Sequence, residues 1–364
     1  MNIRQYKIRL EEPDQIKRHN LHIHGNGVHS FIYTKGLRQI KNDFDRDKIC
    51  LKVMREKSDD IEKAWWGPSN ENGSLLLEAT KIQNIYWIND LAPRVYGIIR
   101  VNDYWAHVTD YLGKFGEENE IQQHAEPSKE IMSKIETIAT ENRIKIYYHD
   151  WRVKNEMDGK WIDFQSFRFK DDYEDVLRKE VDGVCNWHPP GSYQEFPEIE
   201  LKGRRDNEHR IKALGLDKID FEGKTVLDIG CSAGAFCNYA EEQGAKRVVG
   251  LELPERADTA RKLSNFLGYF NIDYYGVDLK KATHKTISDM VGIDKFDIVL
   301  FLSMGMHIGY PSFVKKFVKD LLIYEGNCRD DDEKIIKEIK RNFEEVNEVG
   351  ETKDLFNRPV IWAR

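Results

Sequence analysis

The chain has 364 residues, a formal net charge of −7 and a pI near 5.9, a balance that argues against a protein whose main work is holding a nucleic-acid backbone, since that takes clustered Lys and Arg. Its length allows two domains, each able to bury its own core. The five cysteines are scattered and form no Cys-x-x-Cys pair, which leaves no case for a disulfide framework or zinc site; a charged start and the lack of any run of about 18 apolar residues point to a soluble cytoplasmic protein with no membrane span.

In chain order, residues 21–33 alternate apolar and polar on both sides of Gly25-Asn26-Gly27, the pattern of a hairpin. His19, His22, His24 and His29 crowd it, but without a carboxylate or cysteine partner they read as an exposed strand face rather than a metal site. A strand at 48–53 carries Lys52. After a polar linker with Gly67-Pro68, a helix is expected at 74–86, with Leu75, Leu76, Ala79 and Ile82 on one face and Glu78 beside them. Strands at 92–100 and 104–111 follow, split by Asn102-Asp103, then a helix at 128–142. Beyond it stand His149-Asp150, Asn155 and Asp163-Phe164.

This order of glycine turn, lysine strand, glutamate helix and paired strands resembles the small lobe of a protein kinase with a remnant of the catalytic loop. The resemblance implies ATP and Mg binding: Lys52 on the nucleotide phosphates, Glu78 as its helix partner, and Thr109-Asp110-Tyr111-Leu112 as the hinge. Asp150 would position the acceptor hydroxyl, and Asn155 with Asp163 would hold magnesium. The pattern departs from typical protein kinases in a short glycine loop, in Gln165 replacing the usual glycine, and in an Asn155–Asp163 spacing closer to small-molecule kinases. A large lobe is nearly absent. Residues 1–180 are therefore expected to form a kinase-like α+β domain, with a substrate or assembly platform as the alternative.

Asn186 to Gly191 and Phe196-Pro197 are turn-rich and mark a boundary, so a second domain is expected over 185–364. Residues 203–216 form an amphipathic lead-in segment in which Arg204 and Arg210 either pair with a carboxylate or are solvated. Strand-like runs at 225–229, 247–251, 272–277, 296–302 and 321–325 alternate with helical stretches, which argues for a parallel sheet with crossover helices. A charged helix at 330–340 and strands at 343–349 and 359–364, linked by Gly350 and a polar loop, complete seven strands.

The first of these strands breaks into Gly230-Cys231-Ser232-Ala233-Gly234. Glycines there let the backbone turn and approach a ligand closely, and Asp228 precedes them. Glu252 and Asp278 end the next two strands, the edge where open α/β sheets bind ligands. A nicotinamide enzyme would show Gly-x-Gly-x-x-Gly, which the loop lacks. The segment resembles the cofactor loop of class I S-adenosylmethionine (SAM) methyltransferases, with Ser232 as in the subgroup reading Gly-Cys-Asn-x-Gly. That implies a doubly wound α/β sheet of seven strands in which Asp228, Gly230, Cys231, Ser232 and Gly234 hold the methionine part of SAM. Glu252 would take the ribose, Asp278 and the Leu279 amide the adenine, with Arg204 or Arg210 on the carboxylate.

After the fourth strand comes Leu302-Ser303-Met304-Gly305-Met306-His307, where class I enzymes place residues beside the transferable methyl. It resembles the corresponding stretch of tRNA wobble-uridine carboxymethyl transferases and of small-molecule O-methyltransferases. Ser303 would then face the cofactor, and His307 would take a proton from the acceptor or position it. No Asn-Pro-Pro-Tyr type motif appears, which disfavours amino-group methylation of adenine or glutamine. The expected activity is methylation of a hydroxyl on a sugar or other small molecule; enzymes that terminate bacterial O-antigen chains also pair methyltransferase and kinase modules, in a different order. The alternatives are a bifunctional kinase/methyltransferase, a tRNA-modifying enzyme and a non-catalytic SAM-binding scaffold. Oligomeric state is not legible.

Overall fold

The computed structural model describes residues 5–6, 30–33, 37–57, 74–101, 104–112, 129–146, 156–157, 160–161, 164, 167–186, 192–327, 330–353 and 357–364. The chain divides into two compact units, Met1–Tyr173 and Glu174–Arg364.

In the first unit, strands β1 (Gln5–Tyr6), β2 (Ser30–Tyr33), β3 (Ile49–Lys57), β4 (Val95–Val101) and β5 (Tyr104–Asp110) form a sheet in the order β1-β4-β5-β3-β2. All neighbours are antiparallel except β1 and β4. Helix α1 (Arg38–Phe44) buries Ile40 and Phe44 on Leu51, Val53, Ile99 and Val108. Gly97 makes this possible, since a Cβ there would lie 2.7 Å from the Phe44 ring. Helix α2 (Ser74–Ile88) is tied to the start of β4 by Asn84, which accepts from the Val95 amide and donates to its carbonyl at 2.8 and 2.9 Å. β4 begins at Val95, later than expected, because Pro93 supplies no N–H to a ladder. The remaining elements are α3 (Lys129–Glu141), β6 (Ile144–Ile146) paired with β9 (Phe167–Phe169), and β7 (Glu156–Met157) paired with β8 (Lys160–Trp161). The glycine turn of the expected hairpin lies outside the described residues.

The second unit opens on an unforeseen helix, α4 (Tyr173–Val184). Leu177 and Val181 are buried, and Glu180 accepts from Lys262 Nζ at 2.9 Å. The turn-rich stretch at 186–191 thus lies beyond the division between the units, and α4 belongs with the second of them. Short strands β10 (Ser192–Gln194) and β11 (Gly203–Arg205) pair in parallel, and helix α5 (Asn207–Leu214), capped by the Asp206 carboxylate, leads to the main sheet.

That sheet contains β12 (Thr225–Ile229), β13 (Arg247–Glu252), β14 (Ile272–Gly276), β15 (Phe296–Leu302), β16 (Val318–Glu325), β17 (Val346–Lys353) and β18 (Asn357–Ala363). Their order is β14-β13-β12-β15-β16-β18-β17, parallel except for β18, which is antiparallel to both neighbours. Crossovers run through α6 (Ala235–Glu242), α7 (Pro254–Leu267), α8 (His284–Val291), α9 (Gly305–Ile308) with α10 (Phe313–Phe317), and α11 (Asp330–Asn342). Successive strand residues face opposite sides. Val226, Val248, Ile298 and Leu300 enter one core, and Leu227, Val249, Val299 and Phe301 the other. Every residue of β15 is buried, as a central parallel strand covered on both faces requires.

Two expectations are corrected at the C-terminal end. Gly350 does not link the last strands but lies within β17 at a register shift against β18, a common place for glycine in a strand. The link is at 354–356. β16 also starts at Val318, ahead of the apolar run that marks it in the sequence.

Leu300→Ala removes a fully buried side chain from the central strand. It is expected to destabilise the second unit by about 2–5 kcal/mol, read as a lower urea midpoint with an unchanged slope.

Candidate functional site

The site lies along the carboxyl edge of the seven-stranded sheet. β12 ends at Ile229, and Gly230, Ser232 and Gly234 come next with φ of +81°, +55° and +88° before α6 begins. Left-handed backbone of this kind is open to glycine at little cost. The two glycines are also demanded by crowding: a Cβ on Gly230 would collide with the Met304 side chain, and one on Gly234 with the Tyr274 hydroxyl. The loop is pinned from two sides. Gly230 N donates to Leu251 O at 2.8 Å, and the buried Gln194 accepts from the Ala233 and Ala235 amides at 3.1 and 3.3 Å. Gln194 was missed in the sequence because nothing local marks one glutamine of β10 as a loop brace.

Adjacent parallel strands carry the predicted acids to this edge. Asp228 is 2% exposed, its described donor is the Cys237 thiol at 3.7 Å, and burial pushes its carboxyl up to about 7. Glu252 closes β13, accepting from the Leu253 amide and from Arg256 at 3.4 Å; burial raises its pKa against those donors. Asp278 stands just beyond β14 and is solvent-facing, with Lys281 at 3.1 Å holding its pKa below the usual range. Leu279 beside it is buried in the core.

Ser303, after β15, has φ of +56° and donates to Glu325 Oε2 at 2.5 Å. The short helix α9 brings Met304 over Gly230 and leaves His307 half-buried. Asn327 steadies this turn: with its amide oriented to satisfy both neighbours, it donates to Ser303 O at 2.9 Å and accepts from Met306 N at 3.1 Å.

Glu325, at the end of β16 and 0% exposed, is clamped between two guanidiniums. Arg205 Nη2 lies 2.9 Å away and Arg210 Nη2 2.5 Å, while Thr352 Oγ1 donates at 2.6 Å. Burial would raise the carboxyl pKa, but the two arginines hold it far below its ordinary value. Tyr193 accepts from Arg205 at 2.8 Å, and the same arginines outweigh burial to lower its phenol. Of the arginines named from the sequence, Arg210 is thus bound to Glu325 inside the unit, and Arg204 is exposed. Arg205 and Glu325 were missed. The signal for Glu325 was present, since it ends a strand of the same sheet as Asp228 and Glu252 do.

In the first unit, Lys52 lies on β3 opposite His107 of β5. Glu78 on α2 accepts from the Phe169 amide at 2.9 Å and meets Arg168 Nε at 3.5 Å. The Phe164 ring packs tilted by 42° against Tyr86 of α2, with centroids 5.0 Å apart. Asp150, Asn155 and Asp163 lie outside the described residues. Among the described residues no group of three or more His, Cys, Asp or Glu could hold a metal ion, and no helix is long and apolar enough to cross a membrane.

The strand order and the acids at successive strand ends lead to known proteins. Residues 211–308 match the FtsJ-like methyltransferase family model. The chain is similar to protein arginine N-methyltransferase 1 of Dictyostelium discoideum, 33% identical over 26% of this chain and 26% of that protein. It is also similar to a ubiquinone biosynthesis O-methyltransferase of Azoarcus sp. (strain BH72), 31% identical over 37% of this chain and 52% of that protein. The chain therefore spans about a quarter to a half of the curated relatives it matches. A solved structure of the bifunctional kinase-methyltransferase WbdD aligns at 17% identity over 50% of this chain and 45% of that chain, with a TM-score of 0.39.

Glu325→Gln leaves two buried guanidiniums short of their counter-charge and is expected to cost about 3–5 kcal/mol. Because the folded-state pKa of Glu325 is depressed, its contribution is fully present above the unfolded carboxylate value of about 4.3 and is lost as the pH falls towards the folded value. Unfolding free energies measured across acidic pH are expected to decline more steeply for the unmodified protein than for Glu325→Gln.

Proposed function

We propose that the protein is a SAM-dependent methyltransferase acting on a hydroxyl of a sugar or other small molecule. The observation that carries this is Asp228: a buried carboxyl at the end of β12, raised to about 7, beside a glycine loop too crowded for side chains. A buried carboxylate so placed is stabilised by a cation, and the ammonium of SAM is one. Asp228 would receive that ammonium, and the loop at Gly230, Cys231, Ser232 and Gly234 would lie against the methionine part. Glu252 would accept the ribose hydroxyls, and Asp278 with the Leu279 amide would bracket the adenine. Bound SAM supplies an electrophilic methyl for in-line displacement. The chain's own share is proximity and exclusion of water, with Ser303 and Met304 at the methyl side and His307 orienting the acceptor hydroxyl or taking its proton.

The cofactor assignment has a proton signature. Asp228 is partly protonated below about pH 7, whereas the ammonium favours its ionised form, so SAM binding should expel a proton there. Affinity measured by calorimetry is expected to tighten as the pH rises towards 7 and to level off above it. Asp228→Asn should flatten this profile and weaken binding about tenfold or more. SAM binding by the unmodified protein with no pH dependence would remove Asp228 from the site. Failure to bind SAM would overturn the reading.

A bifunctional enzyme is the second reading, favoured by the sheet order β4-β5-β3-β2 with α2 inserted between β3 and β4. Lys52 on β3 and the packing of Phe164 against Tyr86 of α2 also favour it. Lys52 would then hold ATP phosphates, and Asp150, Asn155 and Asp163 would serve the acceptor and magnesium. ATP turnover that Asp163→Ala abolishes is the expected result; turnover unaffected by Asp150→Ala and Asp163→Ala would exclude phosphotransfer by these residues.

A further inference from the structure

A cavity of about 240 Å³ in the second unit is lined by Arg204, Arg205, Asp206, His209, Arg210 and Lys353. Asp228 and Glu252 belong to β12 and β13 and Asp278 follows β14, whereas this cavity is built by β11, α5 and the end of β17, beyond β15 and β16 in the strand order. Arg210 connects the two regions, since it is near enough to Asp228 to lower its carboxyl pKa against the effect of burial and lies over the Phe236 ring of α6. β17 runs parallel to β16, since both oppose β18, so Lys353 reaches the same carboxyl edge as Glu325. Thr352, its neighbour, donates to that carboxylate. Ser303, which begins the segment expected beside the methyl, joins the same network through Glu325 and Arg205.

The lining is strongly one-signed. Four permanent cations and His209 face one lining carboxylate, Asp206, which already accepts from the His209 amide as the helix cap. Glu325 behind them pairs with Arg205 and Arg210, and the lining residues themselves carry more positive than negative charge. Arg210 is 2% exposed, directs Nε and Nη2 to Glu325, and keeps a buried Nη1 with no hydrogen-bond partner among the described residues. A buried guanidinium N–H without an acceptor is costly, and Arg210 is one of the cavity's lining residues, a setting in which guanidiniums donate to oxyanions.

We infer that this cavity binds an oxyanion, a phosphate or a carboxylate, carried by the methyl acceptor. The inference rests on the methyltransferase reading for the word acceptor, but not for the anion. The excess of positive charge favours a dianionic phosphate over a monoanionic carboxylate. Arg204 and Lys353, at the exposed rim, would capture the group, and Arg210 would fix it.

The test titrates the full chain with inorganic phosphate, glucose 6-phosphate and acetate at ionic strength held constant with chloride, reading thermal stabilisation and calorimetric heat. Saturable binding of phosphate or its ester, weakened about tenfold by Lys353→Ala and further by Arg204→Ala, is the expected result; saturation by acetate alone would assign the carboxylate source. Equal binding by the variants, or no saturation by any of the three anions, would overturn the proposal. SAM titration of the same preparations separates the two readings. SAM binding without anion binding removes only the cavity assignment, and anion binding without SAM binding removes only the methyltransferase.

Discussion

The second unit turns on one buried carboxylate. Glu325 sits where β15, β16 and β17 end, and its oxygens are shared by Arg205 from β11, Arg210 from α5, Ser303 and Thr352. None of these partners is close to Glu325 in sequence, so a single group fastens the lead-in segment onto the edge of the sheet. That fastening reaches further, because β10 pairs with β11 and carries Gln194, whose side chain holds the amides of the glycine loop. Such an ion cluster adds little net stability over a well-packed apolar one. It does specify one arrangement of backbone around a polar edge that no apolar cluster could line.

Glu325 and Asp228 show how the same chemistry serves two ends. Both are carboxylates at strand ends, both are buried, and their pKa values move in opposite directions. The difference lies in what surrounds them: two guanidiniums bonded to Glu325, and for Asp228 a thiol, with Arg210 acting on it without a hydrogen bond. Glu325 is satisfied within the fold and is structural. Asp228 carries a desolvation cost that the thiol and Arg210 offset only in part and that a cationic ligand would reduce, which is how a binding group differs from a clamp when burial alone cannot tell them apart.

Much of this was legible in the residues. Strands β12, β13 and β15 are largely apolar runs because both faces of a parallel sheet are covered, with acids at 228 and 252 where the first two end and Asp278 two residues beyond β14. What could not be read depended on tertiary partners. Arg204 and Arg205 are neighbours in a three-residue strand, and only the pairing of β10 with β11 decides which one turns inward. Gln194 is an ordinary strand residue until the loop it braces is folded beside it. Gly350 looked like a turn because glycine breaks local patterns, whereas the register of β17 on β18 absorbs it as a bulge. α4 was hidden because its charged residues mask a narrow buried face of Tyr173, Leu177 and Val181 ahead of a more conspicuous turn.

The charge layout along the carboxyl edge is a consequence of that tertiary arrangement and bears on the reaction. From β14 to β12 the edge is acidic, through Asp278, Glu252 and Asp228; past β15 it becomes basic, through Arg204, Arg205, Arg210 and Lys353. A cationic cofactor would settle against the first stretch and an anionic acceptor against the second, with Ser303 and Met304 at the junction. Each ligand would be drawn to its own end by fields of opposite sign and disfavoured at the other. Orientation across the junction would thereby be set before any contact at the reacting atoms. A site that stabilises its transition state chiefly by proximity needs that orientation from its walls.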